Sequence, residues 1–161
     1  MEQEFLARID QHQGIIHKVC RMYVRLEEDR EDLFQEIVLQ LWRSYARFDQ
    51  TLTFSTWMYR VALNTAITQL RRSKRRPVFQ SLSKKDEHIP ETNASHEDEL
   101  YEAISHLDKI DKAILLLQLD NHSYQEIAEI MQVSSSNVGV RLNRIKKKLK
   151  SILIKQTHEP R

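Results

Sequence analysis

The sequence predicts an all-α protein made of two small helical domains joined by a flexible linker. Three observations lead there. The 161 residues are 40% hydrophobic and 30% charged, with only 2 Gly and 3 Pro, a composition rich in helix formers and poor in turn residues. Apolar residues recur at three- and four-residue spacing up to Lys74 and again from Leu100. Between these segments, "PVFQSLSKKDEHIPETNASHEDEL" is polar, holds a second proline at Pro90 and keeps no period. The expected division is therefore 1–76, a linker over 77–99, and 100–161, each domain burying a modest core.

The first helix is expected over about 3–25. Its lone cysteine, Cys20, rules out an internal disulfide, and apolar neighbours at Ile16, Val19 and Tyr23 make it a buried structural thiol. A second helix is expected over 30–47, with Leu33, Ile37, Leu41 and Tyr45 forming one apolar stripe. Asp32, Gln35, Glu36, Leu39 and Arg43 fall on another face. The preceding "EEDRED" reads as an acidic cluster at a helix start, where negative charge complements the dipole.

A short loop, Arg47 to Thr53, leads to a third helix over 54–75. On a wheel of 100° per residue, Trp57, Arg60, Asn64, Thr68 and Arg71 form one polar strip. Met58, Val61, Ala62 and Thr65 form one apolar side, and Tyr59, Leu63, Ala66 and Leu70 another. Trp57 admits two readings: an indole offered to a base beside a guanidinium and an amide, or a ring turned into the core. Pro77 ends the helix, because it lacks an amide donor and disfavours helical geometry before it.

In the second domain, Ser123 followed by Glu126 is a capping box opening a short helix with core residues Ile127, Ala128 and Met131. A turn at Gln132 and Val133 follows. Ser134 then opens a helix in which Val138, Leu142, Ile145 and Leu149 step by 4, 3 and 4. This is a helix-turn-helix pattern whose second helix is free to enter a major groove.

The net charge is only +2, but it is segregated: Gln50 to Lys85 holds eight basic residues and no acid, and Asp86 to Glu102 seven acids and no Lys or Arg. A second basic block follows Gly139, with Arg141, Arg144, Lys146, Lys147, Lys148 and Lys150. Two cationic blocks flanking an acidic one point to two contacts with a polyanion. The acidic block reads either as a solvated tether or as a shield for the cationic faces.

No apolar run approaches the ~18 residues of a membrane span, and "MEQEFLARID" is acidic where a signal peptide is basic; a cytoplasmic protein is expected. The 7 His are scattered and none forms an H-E-x-x-H pattern. Catalytic residues, a metal site and a cofactor are therefore not expected. A stand-alone repressor or activator would use the same helix-turn-helix, usually as a dimer on a palindrome, without needing the first domain.

"DREDLFQEIVLQLWRSYARFD" followed by "FSTWMYRVALNTAITQLRR" resembles region 2 of the extracytoplasmic-function group of sigma-70-type initiation factors, and "SYQEIAEIMQVSSSNVGVRLNRIKKKL" resembles region 4. The resemblance implies a protein that binds core RNA polymerase, directs it to promoter DNA and helps open the minus-ten region. By position it assigns polymerase docking to Asp32, Gln35, Glu36 and Leu39. It assigns capture of an unpaired minus-ten base to the loop Asp49, Gln50, Thr51, Leu52 and Thr53 with Trp57, Arg60, Asn64 and Thr68, and phosphate contacts to Arg71, Arg72, Lys74, Arg75 and Arg76. Minus-thirty-five contacts fall to Ser135, Ser136, Asn137, Gly139, Val140, Arg141, Asn143, Arg144 and Lys147.

Gly139 and Val140 stand where the family usually has a basic or small polar pair, and Gln132 replaces the glycine common in the turn. Asn143 and Arg144 keep groups suited to adenine and guanine edges. The resemblance also implies an anti-sigma protein as a partner, and a linker running through the polymerase toward the RNA exit path.

Overall fold

A computed structural model describes residues 1–74 and 96–158, and all of the regular structure among them is helical. The first half holds α1 (Glu2–Tyr23), α2 (Glu27–Tyr45) and α3 (Phe54–Lys74); the second holds α4 (His96–Ile104), α5 (Lys109–Leu119), α6 (Tyr124–Met131) and α7 (Ser135–His158). Residues 77–95 of the expected linker, together with Arg75 and Arg76, lie outside the described residues; 96–99 open α4.

The helix α2 begins three residues before the expected 30, because Glu27, Glu28 and Asp29 occupy its first turn, where carboxylates favour the positive end of the dipole. Arg30 donates from Nε to the Val24 carbonyl at 2.8 Å, tying the end of α1 to the start of α2. Leu33, Ile37 and Leu41 are fully buried and Tyr45 half-buried, so the predicted stripe is the buried face. Ile16 and Val19 of α1 and Met58, Ala62, Leu63 and Ala66 of α3 close this core; burying each large aliphatic side chain contributes ~1.5–3 kcal/mol. Cys20 is buried with them, and desolvation raises its thiol pKa to about 11.

The helix α5 explains how the halves meet. Ala113, Ile114, Leu115, Leu116 and Leu117 are five consecutive buried residues, and no helix can hide such a run against a single neighbour. It packs on α6 and α7 on one side and on α1 and α3 on the other. Asp108 caps its start, accepting from the Asp111 amide at 2.8 Å.

The helix-turn-helix forms as its punctuation requires. The Ser123 hydroxyl accepts from the Glu126 amide, and the Glu126 carboxylate from the Ser123 amide, each at 3.1 Å; these bonds hold Glu126 below the usual carboxylate range. Gln132 takes the left-handed conformation, φ 57° and ψ 45°, that glycine adopts more readily. Ser134 accepts from the Asn137 amide at 3.1 Å, starting α7. In α6, Ile127 and Ile130 are the buried residues, while Ala128 and Met131 pack half-exposed. Ile130, absent from the sequence-based core, thus takes the larger share.

Candidate nucleic-acid interfaces

The start of α3 is an aromatic knot rather than an open stacking platform. Trp57 is 8% exposed, with ring centroids 5.0 Å from Phe48, 5.4 Å from Phe54 and 6.2 Å from Tyr45. Of the two readings of Trp57, core packing is the one this geometry carries, and neither face of the indole is open to a base. Such rings add about 0.5–1.5 kcal/mol per pair beyond their buried area.

The loop before α3 is held by its own side chains. Asp49 accepts from the Thr51 hydroxyl at 2.5 Å, and Thr53 caps α3 by accepting from the Thr56 amide at 3.2 Å. Gln50 and Leu52 remain directed at a cavity of about 400 Å³, lined also by Arg8, Gln11, His12, Phe48 and Phe54. The Arg8 guanidinium lies 5.3 Å from the Phe54 ring centre, and the His12 ring 5.0 Å from it.

The strip on α3 does not join that loop. Asn64 and Thr68, both exposed, line a separate groove of about 330 Å³ with Glu36, Gln40, Ser44 and Gln69. Arg60 turns toward the second half, where its Nη2 donates to the Glu129 carbonyl at 2.7 Å while Nε is buried without a partner. The single base-capturing cluster expected from the sequence is therefore three places: the loop cavity, the α2–α3 groove and the Arg60 contact. Arg8, Gln11 and His12 were missed because only tertiary packing brings α1 to the loop. The backbone of Arg71 and Arg72 continues α3; their side chains lie outside the described residues.

On α2, Asp32, Gln35 and Leu39 are exposed and Glu36 half-buried, accepting from Gln40 Nε2 at 3.0 Å. Trp42 extends this face at helical spacing, 40% exposed, with its ring 5.0 Å from Phe5. The spacing Gln35, Leu39, Trp42 carried that signal.

On α7, Ser135, Ser136, Val140, Asn143, Arg144 and Lys147 are exposed. Two residues expected on the same face lie against α5 and α6. Arg141 donates to Asp111 at 3.0 Å, pinning α7 to α5 in a half-buried ion pair. Gly139 lies beside Tyr124, where an added Cβ would stand 3.4 Å from Cε2, an ordinary van der Waals contact, so packing of α6 on α7 does not demand glycine there. Asn137 is half-buried, its amide engaged by Ser134.

Between the halves, Asp120 accepts from Lys18 at 2.7 Å and from the Tyr59 hydroxyl. Partial burial alone would raise the Asp120 pKa, but these two hydrogen bonds and nearby positive charge outweigh it and hold the carboxyl below its usual range. Tyr59 also meets His122 edge-on at 5.1 Å. Burial and the Asp120 carboxylate push the Tyr59 phenol well above its ordinary value. The Tyr23 hydroxyl donates to the Lys109 carbonyl at 2.6 Å. Arg21 pairs with Glu97 at 2.6 Å, and Arg25 with Glu102. The C-terminal end of the acidic block is thus placed against α1, with Arg21 also 4.8 Å from the Tyr101 ring centre.

Among the described residues, no three His, Cys, Asp or Glu side chains are grouped to hold a metal ion, and no helix is long and apolar enough to cross a membrane. A helix-turn-helix with an exposed polar and basic reading face, tied to a second helical unit, defines a DNA-binding transcription protein. Comparison with known proteins narrows the class. The profile of Sigma-70 region 2 matches residues 8–76, and that of Sigma-70, region 4, residues 97–149. The chain belongs to the sigma-70 family of RNA polymerase sigma factors, in its extracytoplasmic-function group.

It is 28% identical to the RNA polymerase sigma factor SigV of Bacillus subtilis over 155 residues, covering 92% of this chain and 90% of that one. Against the ECF RNA polymerase sigma-E factor of Haemophilus influenzae it is 26% identical over 166 aligned positions, 93% and 87% of the two chains. In fold it is similar to the sigma factor RpoE from Bartonella quintana, solved in complex with the anti-sigma factor NepR, with a TM-score of 0.73 at 16% identity over 94% and 97% of the chains. It is also similar to CnrH, solved in complex with the cytosolic domain of CnrY, with a TM-score of 0.67 at 19% identity over 95% and 89%.

Proposed function

We propose that this chain is an extracytoplasmic-function sigma factor of the cytoplasm, a non-enzymatic subunit that binds core RNA polymerase, brings it to promoters and stabilises an opened minus-ten strand. The observation that carries the reading is the exposed face of α7 within the helix-turn-helix, where Val140, Asn143, Arg144 and Lys147 stand free. On that face Asn143 is suited to adenine, Arg144 to guanine and Val140 to a thymine methyl. Ser135, Ser136 and Lys147 are placed for phosphates. Domain limits of 1–76 and 96–161, the second opening with α4 four residues before the expected 100, accord with this division of labour.

In the first half, the loop cavity between Phe48, Phe54, Arg8 and His12 is the receptacle that best suits an unpaired base: aromatic walls, a guanidinium and amide side chains at Gln11 and Gln50. Asn64 and Thr68 serve the flanking strand. Asp32, Gln35, Glu36 and Leu39 form the polymerase-docking face. The complexes of RpoE with NepR and of CnrH with CnrY support an anti-sigma protein as a further partner.

Opening DNA is beyond the chain alone. Unstacking about five steps costs roughly 7 kcal/mol at ~1.4 per step, while one or two captured bases return ~1–3 each. Core polymerase must supply the difference. Reconstitution with core polymerase on a promoter library tests the reading: transcription from a defined sequence class is expected, and failure to co-purify with core polymerase would remove it.

A further inference from the structure

We infer that α1 chooses the base: Arg8 and His12 commit the loop cavity to an unpaired cytosine or guanine and turn away thymine and adenine. The inference deepens, and rests on, the reading of that cavity as the minus-ten receptacle.

Fixed polarity separates these two residues from the rest of the lining. Gln11 and Gln50 also reach the cavity, but a side-chain amide can turn to donate or to accept, so each suits any base edge. Phe48, Leu52 and Phe54 offer apolar surface, and every base has a face to lay on it. Arg8, by contrast, can only donate. Its guanidinium stands 5.3 Å from the Phe54 ring centre, and the Glu4 carboxylate, one helical turn back, holds Nη2 at 3.3 Å. The other N–H groups of the fork remain for a ligand.

The polarity of His12 is set by its neighbour. Nδ1 lies 2.9 Å from the Arg8 carbonyl, and because a carbonyl oxygen only accepts, Nδ1 carries the hydrogen and donates it. In the neutral ring Nε2 is then bare and acts as an acceptor. His12 follows Arg8 by one turn of α1, and its ring centre is 5.0 Å from that of Phe54, so the donor fork and the lone pair stand side by side.

A guanidinium fork matches two neighbouring acceptors, and the bare nitrogen next to it matches a donor. Cytosine presents that order along its pairing edge: O2, N3, then the amino group on C4. Guanine presents it as N7, O6, then the hydrogen on N1. Thymine instead alternates acceptor, donor, acceptor across O4, N3 and O2, and adenine does the same across N7, its amino group and N1. With either of these, an N–H of Arg8 or the lone pair of His12 goes unmatched at a half-buried position. Only an unpaired base exposes such edges whole.

The test uses the full chain bound to core polymerase, on templates whose minus-ten stretch is already unpaired. The non-template base is changed one position at a time against a constant template strand. One position is expected where cytosine or guanine supports about ten times the transcription given by thymine or adenine, in keeping with one good bidentate contact. Arg8→Gln, whose amide donates or accepts, should shrink that ratio to about two-fold at that position alone. His12→Gln should act likewise, while Gln11→Ala should lower the use of all four bases equally. Should either α1 variant fail to fold, Glu4→Gln serves in its place: the Glu4 side chain is 60% exposed, and its loss frees Arg8 to swing, which should lower the ratio part of the way.

A ratio unmoved by these α1 variants, one changed as much by Gln11→Ala, or thymine or adenine favoured at every minus-ten position would overturn the proposal. Absence of sequence-directed transcription from the unaltered holoenzyme would be a different failure, removing the sigma-factor reading and this proposal with it.

Discussion

Tyr59 on α3 donates its phenolic hydrogen to Asp120, 61 residues further along the chain, while its ring packs edge-on against His122. One side chain thereby belongs to the core of the first half and to its junction with the second. Tyr59→Phe keeps the ring and deletes the donor. A hydrogen bond to a charged acceptor contributes about 1.5–3 kcal/mol, and with Asp120 partly solvent-exposed the lower end is expected. Chemical denaturation should show a loss of about 1.5 kcal/mol, with faster hydrogen exchange in α5; an unchanged transition would mean that the contact contributes nothing in solution.

The junction should weaken in acid. The Asp120 carboxyl is held below its usual range in the folded chain, so its contribution is complete above the unfolded value near ~3.9 and is lost as pH falls through the lower folded value. Titrating the full chain, labelled with one fluorescent dye on α2 and another on α7, downward from neutral pH should leave energy transfer flat until about pH 4 and then reduce it. Asp120→Asn should lower the neutral plateau and flatten this group's share of the acid limb. An acid limb identical in the two proteins would mean that Asp120 contributes none of it.

Trp57 is expected to behave as a core residue. Trp57→Ala should cost roughly 3–5 kcal/mol and unfold much of the first half, whereas Trp57→Phe should leave promoter choice unchanged once folding is restored by lower temperature. Thermal melts and transcription from a fixed promoter set separate the two. Altered base preference in a well-folded Trp57→Phe protein would return the indole to the DNA interface.

Gln132 holds a left-handed backbone that costs an ordinary residue ~1–2 kcal/mol. Gln132→Gly relieves this strain, offset in part by the greater freedom of glycine in the unfolded chain, so a net gain of about 0.5–1 kcal/mol is expected. Gln132→Val, branched at Cβ, should lose stability. The melting temperatures of the two variants should move in opposite directions.

Trp42 extends the face of Asp32, Gln35 and Leu39, and exposed Trp residues often dominate binding energy. Trp42→Ala should weaken affinity for core polymerase at least five-fold, about 1 kcal/mol, while binding of duplex DNA by the free chain is unaffected. Equal affinities in a direct core-binding titration would confine the docking face to the other residues.

Local patterns made much of the fold legible. The stripe of Leu33, Ile37 and Leu41, the Ser123–Glu126 box and the Val138–Leu142–Ile145–Leu149 ladder each depend on neighbours three or four residues away, and each formed as read. The sites were less legible, because they depend on which helices meet. Arg60, Asn64 and Thr68 share one strip on a wheel, yet α6 claims the first while the α2–α3 groove holds the others. Arg8 and His12 carry no local sign of lying beside the loop at Gln50 and Leu52. Arg141 looks like any helical cation until Asp111 is placed beside it.

The run Ala113–Leu117 bears on how long an open chain can last in water. With both sides of α5 buried, parting the halves wets an oily flank that then seeks any apolar neighbour, another open molecule included. Opening without a prompt replacement surface is a route to clumping. Any partner that parts the halves must therefore also shelter that flank, so that separation amounts to an exchange of one cover for another.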